Sequence, residues 1–219
     1  YPNLSYDTQK DFAGVTPMAS LPNMLVVPPG RFADVKDLVA QAKAKPGGFN
    51  YGSAGNGSAT HMNAEVFRLA AGIQAQHVPF RGTPEAMTEV MAGRVDWFFA
   101  PMVSAAPLVR DGKLKALAVG TAKRSAIFPD LPTTVEAGVP DSSYLFWVGL
   151  FAPAKVPKAA VERLNAEVTK IMNAPELRER LDKLGAEPFT MPSAQFDQFI
   201  AQETAKAQQV VKAAGIKVD

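Results

Sequence analysis

The residues best suited to bind a ligand lie in one run, residues 51–61, which reads Tyr-Gly-Ser-Ala-Gly-Asn-Gly-Ser-Ala-Thr-His. A strand predicted over residues 49–52 leads into this turn, and an amphipathic helix closed by Gly72 follows it. Glycines let the backbone approach a bound group closely, and free N–H groups at a helix start attract anions. The run supplies hydroxyls and amides but no lysine or arginine. It therefore predicts a site that holds a small carboxylate rather than one that turns over a phosphate.

The glycine spacing excludes the familiar nucleotide loops. The pattern is Gly52-x-x-Gly55-x-Gly57, whereas a Walker loop ends in Gly-Lys-Ser/Thr and the dinucleotide fingerprint is Gly-x-Gly-x-x-Gly. We therefore expect no nucleotide cofactor. A nucleophile elbow, Gly-x-Ser-x-Gly, nearly fits, but Tyr51 occupies the first glycine position. The turn alone also permits a plain strand-to-helix connection that is capped by Ser58 and binds nothing.

Composition limits the function further. The net charge is only +2, 47% of the residues are hydrophobic, and there is no cysteine. A charge this small, without a basic run, argues against nucleic-acid binding. No apolar stretch reaches the length of a membrane span, and disulfides and thiolate metal sites are excluded. The chain also lacks any pattern of paired carboxylates, metal ligands or an activated nucleophile, so we expect neither a catalytic nor a metal site.

Strand and helix patterns alternate from Asn50 onward, which predicts an α/β fold with a mostly parallel sheet. In such a sheet every strand-to-helix turn lies at the same carboxyl edge, where ligands bind. We therefore expect the glycine run and the turn at residues 81–83 to face one crevice. Thr83 is predicted to cap the second helix, because Pro84 and Glu85 follow it. The first helix is predicted to face the sheet with Met62, Val66, Leu69 and Ala70.

The chain resembles a known family in residues 50–61 and in four further segments. These are His-Val-Pro-Phe-Arg-Gly at 77–82, Gly-Lys-Leu-Lys-Ala-Leu-Ala-Val at 112–119, residues 128–138 beginning Phe-Pro-Asp-Leu-Pro, and Gly-Ala-Glu-Pro at 185–188. The combination is similar to the Bug-type receptors, the extracytoplasmic solute-binding proteins of tripartite tricarboxylate transporters. The resemblance covers essentially the whole chain.

The resemblance implies a periplasmic-binding-protein-like fold of two α/β lobes that close like a Venus flytrap. Residues 23–147 would form the complete second lobe, and residues 1–22 and 148–219 the remainder of a truncated first lobe. Family members carry roughly a hundred further residues ahead of Tyr1, estimated from usual domain sizes. We therefore expect this chain alone to bind its acid poorly, and to expose apolar strand edges near residues 15–20 and 150–151.

The resemblance also implies the function and the residues that carry it. The protein would be periplasmic and non-enzymatic, and would capture a small organic acid for the membrane subunits of a tripartite tricarboxylate transporter. It would need no cofactor or metal, bind no nucleic acid and not insert directly into a membrane. One carboxylate would be held in the glycine run, with a second facing turn. The implied site residues are Ser53, Gly55, Gly57, Ser58, Ala59, Thr60, His61, Arg81, Gly82 and Thr83.

Several alternatives stay open. The protein could sense its ligand for a signalling partner, or be an α/β hydrolytic enzyme that uses Ser53 or His61 on a carboxylated substrate. His61 either touches the ligand or orders the loop through a backbone hydrogen bond, and His77 is a structural sheet residue or a ligand contact. Arg81 either pairs with a second carboxylate or is an exposed structural residue. Dicarboxylates, tricarboxylates, aromatic acids and amino acids all fit this mode of capture.

Overall fold

The chain is an α/β protein, and its computed structural model describes residues 4–217. Strands and helices alternate through the middle of the chain, and three helices dominate its last third. The elements in chain order are β1 Phe12–Ser20, β2 Asn23–Val27, α1 Val35–Ala44, β3 Asn50–Ser53, α2 Ala59–Ala71, β4 Gln76–Pro79, α3 Thr83–Met91, β5 Trp97–Pro101, α4 Met102–Arg110, β6 Lys115–Val119, β7 Trp147–Pro153, α5 Lys158–Met172, α6 Pro175–Leu184, β8 Glu187–Pro188 and α7 Ser193–Ala214.

Contacts divide the chain into two compact units. The three-stranded unit contains the chain up to Leu21 and Trp147–Gln209, and the five-stranded unit contains Pro22–Phe146 and Val210–Lys217. The assignment of residues 1–22 and 148–219 to one lobe, and of 23–147 to the other, stays a prediction. Its outermost parts, residues 1–3 and 218–219, lie outside the described residues.

The five-stranded unit is built on a sheet with the strand order β4-β3-β5-β2-β6. β3 pairs in parallel with both β4 and β5, whereas β2 runs antiparallel to β5 and to β6. Four of the five strands therefore point the same way, which confirms the predicted mostly parallel sheet. The reversed direction of β2 was not predicted, because a run of apolar residues does not indicate whether a strand is parallel or antiparallel to its neighbours.

The two predicted binding turns leave the sheet side by side. Ser53, the last residue of β3, is the register partner of Pro79, the last residue of β4. The Phe80 N–H then donates to the Ser53 carbonyl over 3.0 Å. The glycine run and the turn at residues 81–83 thus share the carboxyl edge, as predicted.

Helix α2 packs against the sheet with a face that matches the predicted one only in part: Met62 is buried and Ala70 packs against the core, as predicted. Phe67 is fully buried, whereas Leu69, which was expected to face the core, is 37% exposed. The polar residues Asn63 and Glu65 are also buried. The prediction assumed that only apolar residues face the core, and it therefore missed the polar residues on the buried face of the helix.

The three-stranded unit has an antiparallel sheet with the order β7-β1-β8. Since β1 is the central strand and Val15 is fully buried, the expectation of an exposed apolar edge at residues 15–20 is wrong. At residues 150–151 an exposed apolar edge is present, because β7 lies at the edge of this sheet and Phe151 is 37% exposed. Pairing on both sides protects β1, and the sequence pattern could not show which strand would be central.

We predict that Phe67→Ala lowers the free energy of unfolding by about 3–5 kcal/mol, because it leaves a cavity in the core. The matched control is Leu69→Ala, two positions along the same helix, which should cost only about 0.5 kcal/mol, as is usual at a surface position. Denaturant unfolding of both variants measures the difference. Equal losses would show that α2 packs with another face.

Candidate ligand-binding site

Two glycines with positive φ shape the loop between β3 and α2, which we call the glycine loop (residues 54–58). Gly55 has φ 119° and Gly57 has φ 72°, a region that disfavours residues with a Cβ atom. The turn closes with a hydrogen bond of 3.2 Å from the Ser58 N–H to the Gly55 carbonyl. The chain therefore reverses tightly and delivers the first turn of α2 to the sheet edge.

The start of α2 keeps free hydrogen-bond donors. Ser58 is the N-cap, as predicted, and its Oγ accepts the N–H of His61 over 3.3 Å. The N–H groups of Ala59 and Thr60 find no acceptor in the described part of the chain, as expected for the first helical positions. Such donors, together with the positive end of a helix dipole, favour the binding of an anion. The adjacent Asn56 and Gly57 are exposed, Ser58 and Ala59 are half-buried, and Thr60 is buried.

Other amides of the loop are already used to fix its shape. The Ala54 N–H donates to Thr60 Oγ1 over 2.9 Å, and the Gly55 N–H donates to Ser53 Oγ over 3.1 Å. The Gly57 N–H donates to His61 Nδ1 over 3.1 Å. Three side chains thus hold the glycine loop from within, and the open donors are those of the first turn of α2.

The two histidines of the chain form a stacked pair beneath the loop. The rings of His61 and His77 lie 3.7 Å apart between centroids and 10° from parallel, and His77 Nε2 is 2.6 Å from Ser53 Oγ. Burial lowers the pKa of His61 below its usual range. Burial and then the neighbouring His61 lower the pKa of His77 to about 4. Both rings are therefore neutral at pH 7, and the pair adds no positive charge to the loop.

A buried ion pair lies next to the histidines. Glu65 bonds Arg68 over 2.6 Å, their side chains are 4% and 18% exposed, and the Tyr51 hydroxyl donates to the same carboxylate. Burial, followed by the bond to Glu65, raises the pKa of Tyr51 above its usual range, so it is a neutral donor. Sequence reasoning missed this cluster, although an acid and an arginine three positions apart on one helix were a signal for an ion pair.

A cavity of about 360 Å³ opens beside these groups, entirely within the five-stranded unit. Both histidines and the ion pair contribute to its wall, and the end of α7 and the residues after it close one side. Its lining residues are Tyr51, Asn56, His61, Glu65, Arg68, Ala75, His77, Ala214, Gly215, Ile216 and Lys217.

The second turn differs from its prediction in one respect. Gly82, in extended conformation, is the N-cap of α3, and Thr83 is the first helical residue, so the predicted cap at Thr83 is wrong. The Glu85 carboxylate accepts the Arg81 N–H over 3.1 Å. Because an acid of the chain itself already sits at this helix start, the turn is less open to an anion than the glycine loop. The Arg81 side chain is exposed.

A buried amide pair at the same sheet edge was also missed. Asn23 Nδ2 donates to Asn63 Oδ1 over 3.2 Å, next to Gly120, and both side chains are almost fully buried. Asn23 Oδ1 and Asn63 Nδ2 find no partner among residues 4–217. No local sequence pattern indicates this pair, since the two residues are forty positions apart. Within the described residues there is also no metal-ligand cluster, and no helix combines the length and apolarity needed to cross a membrane.

Comparisons with known proteins agree with this architecture. Residues 1–216 match the family described as the tripartite tricarboxylate transporter family receptor. The chain is 37% identical to a protein in the tcbD-tcbE intergenic region of Pseudomonas sp. (strain P51), over 84% of its own length. It is similar to the structure of R. palustris Rpa4515 with adipate, at 31% identity over 99% of the chain and a TM-score of 0.89. MatC from Rhodopseudomonas palustris with bound malate matches at 30% identity over 96% of the chain and a TM-score of 0.83.

These matches confirm both the family and the fold that the sequence predicted. The chain spans 56% of the length of the Pseudomonas relative and 73% of each of the two solved chains.

We predict that Arg68→Leu destabilises the protein by about 3 kcal/mol, because it leaves the Glu65 carboxylate buried without a counter-ion. Adding Glu65→Gln should recover most of this loss, since glutamine removes the charge and still accepts from Tyr51. Arg94→Leu is the matched control: it breaks an exposed pair with Glu89, and should cost less than about 1 kcal/mol. Denaturant unfolding of the four proteins measures these differences, and a double variant no more stable than Arg68→Leu would contradict the account.

Proposed function

The chain belongs to the tripartite tricarboxylate transporter receptor family, and we propose that it captures a small organic carboxylate as a periplasmic solute-binding protein. It would deliver this acid to the membrane subunits of a tripartite tricarboxylate transporter. The observation that carries the proposal is the start of α2, where the N–H groups of Ala59 and Thr60 have no acceptor among the described residues and lie beside the exposed Asn56 and Gly57.

The site binds an anion without a charged partner. His61 and His77 are neutral at pH 7, and Arg68 is paired with Glu65, so the loop attracts a carboxylate through backbone donors and the helix dipole. Bonds of this kind contribute about 1.5–3 kcal/mol each when they involve a charged group. A receptor that must hand its ligand to a transporter benefits from such moderate contacts, because release then requires no ion pair to be broken.

We assign the predicted site residues three different roles. Ser58, Ala59 and Thr60 contact the carboxylate, because Ala59 and Thr60 carry the unpaired N–H groups at the start of α2 and Ser58 is its N-cap. Ser53, Gly55, Gly57 and His61 shape the loop, since their polar atoms are engaged within it. Arg81, Gly82 and Thr83 lie on the neighbouring turn and contact the far part of the ligand. The bound adipate and malate of the two solved relatives support a dicarboxylate as the ligand of this chain.

One contact bears on the enzymatic alternative. Ser53 Oγ lies 2.6 Å from His77 Nε2, the spacing of a serine and its general base. A nucleophile must reach its substrate, however, and Ser53 is fully buried with its Oγ also bonded to Gly55. The family and fold are those of binding proteins. This contact therefore supports a structural role, and transport delivery and ligand sensing both begin with the same binding event.

Thermal-shift measurements against adipate, malate, citrate and an aromatic acid test the proposal on the full-length protein, because this chain alone is expected to bind its acid poorly. We expect at least one dicarboxylate to raise the melting temperature, because a ligand that binds only the folded state stabilises it by mass action. Mass spectrometry should then recover that acid unchanged after prolonged incubation. Conversion of the acid to a product would favour the enzyme, and the absence of any shift across the panel would contradict carboxylate binding.

We predict that Gly57→Val weakens dicarboxylate binding at least about tenfold, which corresponds to about 1.4 kcal/mol. Valine is strained at φ 72° and would distort the loop that presents the helix start. Arg81→Ala, on the neighbouring turn, should change the affinity less than about threefold. Titration calorimetry with adipate compares the two variants, after circular dichroism has shown that both are folded. A larger loss in Arg81→Ala would mean that charge, rather than backbone geometry, holds the ligand.

A further inference from the structure

A continuous set of contacts ties the two ends of the glycine loop together through the histidines. Ser53, where the loop begins, contacts His77, the His77 ring stacks on His61, and His61 Nδ1 accepts the N–H of Gly57 near the end of the loop. The loop therefore depends on two imidazole rings from different elements, α2 and β4.

The contact with Gly57 fixes the protonation of His61. An N–H group donates, so Nδ1 must have a free lone pair, and the neutral ring carries its proton on Nε2. A proton on Nδ1 would place two donors against each other at 3.1 Å. A second charge on His77 would add repulsion between rings whose centroids are 3.7 Å apart.

We propose that His61 and His77 are positioning residues that keep the glycine loop receptive to anions only while His61 Nδ1 is unprotonated. The inference rests on the proposed function, because the state that it controls is the geometry of the carboxylate site. It predicts that acidification weakens ligand binding through the protein, in addition to any protonation of the ligand.

The other charged and titratable groups around the histidine pair are Glu65, Arg68, Tyr51 and Lys217. Glu65 and Arg68 on α2 neutralise each other, and the Tyr51 hydroxyl on β3 donates to Glu65 as a neutral group. Lys217, after α7, lines the same cavity.

Protons can reach the pair, because both rings line the cavity of about 360 Å³. The lowered pKa values of His61 and His77 determine how the stability of the folded protein changes with pH. As the pH falls, the histidines of the unfolded chain take up protons near pH 6.5, before those of the folded protein do. The contribution of the neutral histidine pair to the free energy of unfolding is therefore fully present above about pH 6.5. It is lost as the pH falls through the folded value, about 4 for His77.

The first test needs no ligand. The protein has two histidines, so nitrogen NMR of the ring atoms assigns both once His77→Gln has removed one set of signals. At about pH 7.5 we expect the His61 Nδ1 shift of an unprotonated nitrogen, and slow hydrogen exchange at the Gly57 amide that speeds up as His61 titrates. A protonated Nδ1 at that pH, or Gly57 exchange that is independent of His61 titration, would overturn the inference.

The second test uses the full-length protein and adipate as the probe, with affinities measured at about pH 7.5 and about pH 4 for the wild-type protein and for His61→Asn. The asparagine Oδ1 can accept from Gly57 where Nδ1 did, but it does not titrate. Protonation of adipate affects both proteins equally, so the ratio of the two affinities isolates the histidine. We expect the wild-type ratio to exceed the variant ratio at least threefold, and equal ratios would overturn the inference.

The two tests separate this inference from the proposed function. If adipate does not bind at either pH, the ligand assignment fails, while the NMR experiment still decides whether His61 controls the loop. If adipate binds with the same pH dependence in both proteins, the proposed function stands and the positioning role is refuted.

Discussion

The parallel pairing of β3 with β4 and β5 is the constraint on which the candidate site depends. It places the glycine loop beside the turn after β4, because Ser53 and Pro79 are register partners at the ends of their strands. The same register sets Tyr51 between His77 and Trp97, with ring centroids 5.0 and 4.7 Å away. One set of strand pairings thus creates both the binding edge and the aromatic stack that supports it.

Neutrality is the second property of this site. The stacked histidines are uncharged at pH 7, and the arginine nearest to them is paired with a buried glutamate. The field at the glycine loop therefore comes mainly from the peptide dipoles of α2. Under the proposed function, such a site would recognise a carboxylate by the placement of donors rather than by surface charge.

The antiparallel strand β2 brings further polar groups to the same edge. Because β2 runs against its neighbours, its first residue, Asn23, lies level with the end of β5 and next to Gly120 after β6. There it meets Asn63 of α2, and an added Cβ at Gly120 would lie 2.7 Å from the Asn63 side chain. A glycine at this position is thus required by the buried amide pair, and the edge is more polar than the glycine loop alone.

The sequence by itself determined the local features: the glycine loop, the Ser58 cap, the stop of α2 at Gly72, and the alternation of strands and helices. These depend on residues a few positions apart, so their signals survive in a single sequence. The quoted segments also sufficed to identify the family.

Only the tertiary structure decided which face of α2 is buried, the direction of β2 and the contact of Ser53 with His77. Glu65 is inside because Tyr51 and Arg68 satisfy its carboxylate, and neither that bond to β3 nor the burial can be read from helical periodicity. Burial of a polar residue is favourable only when a partner is present, and folding alone brings partners from distant positions together.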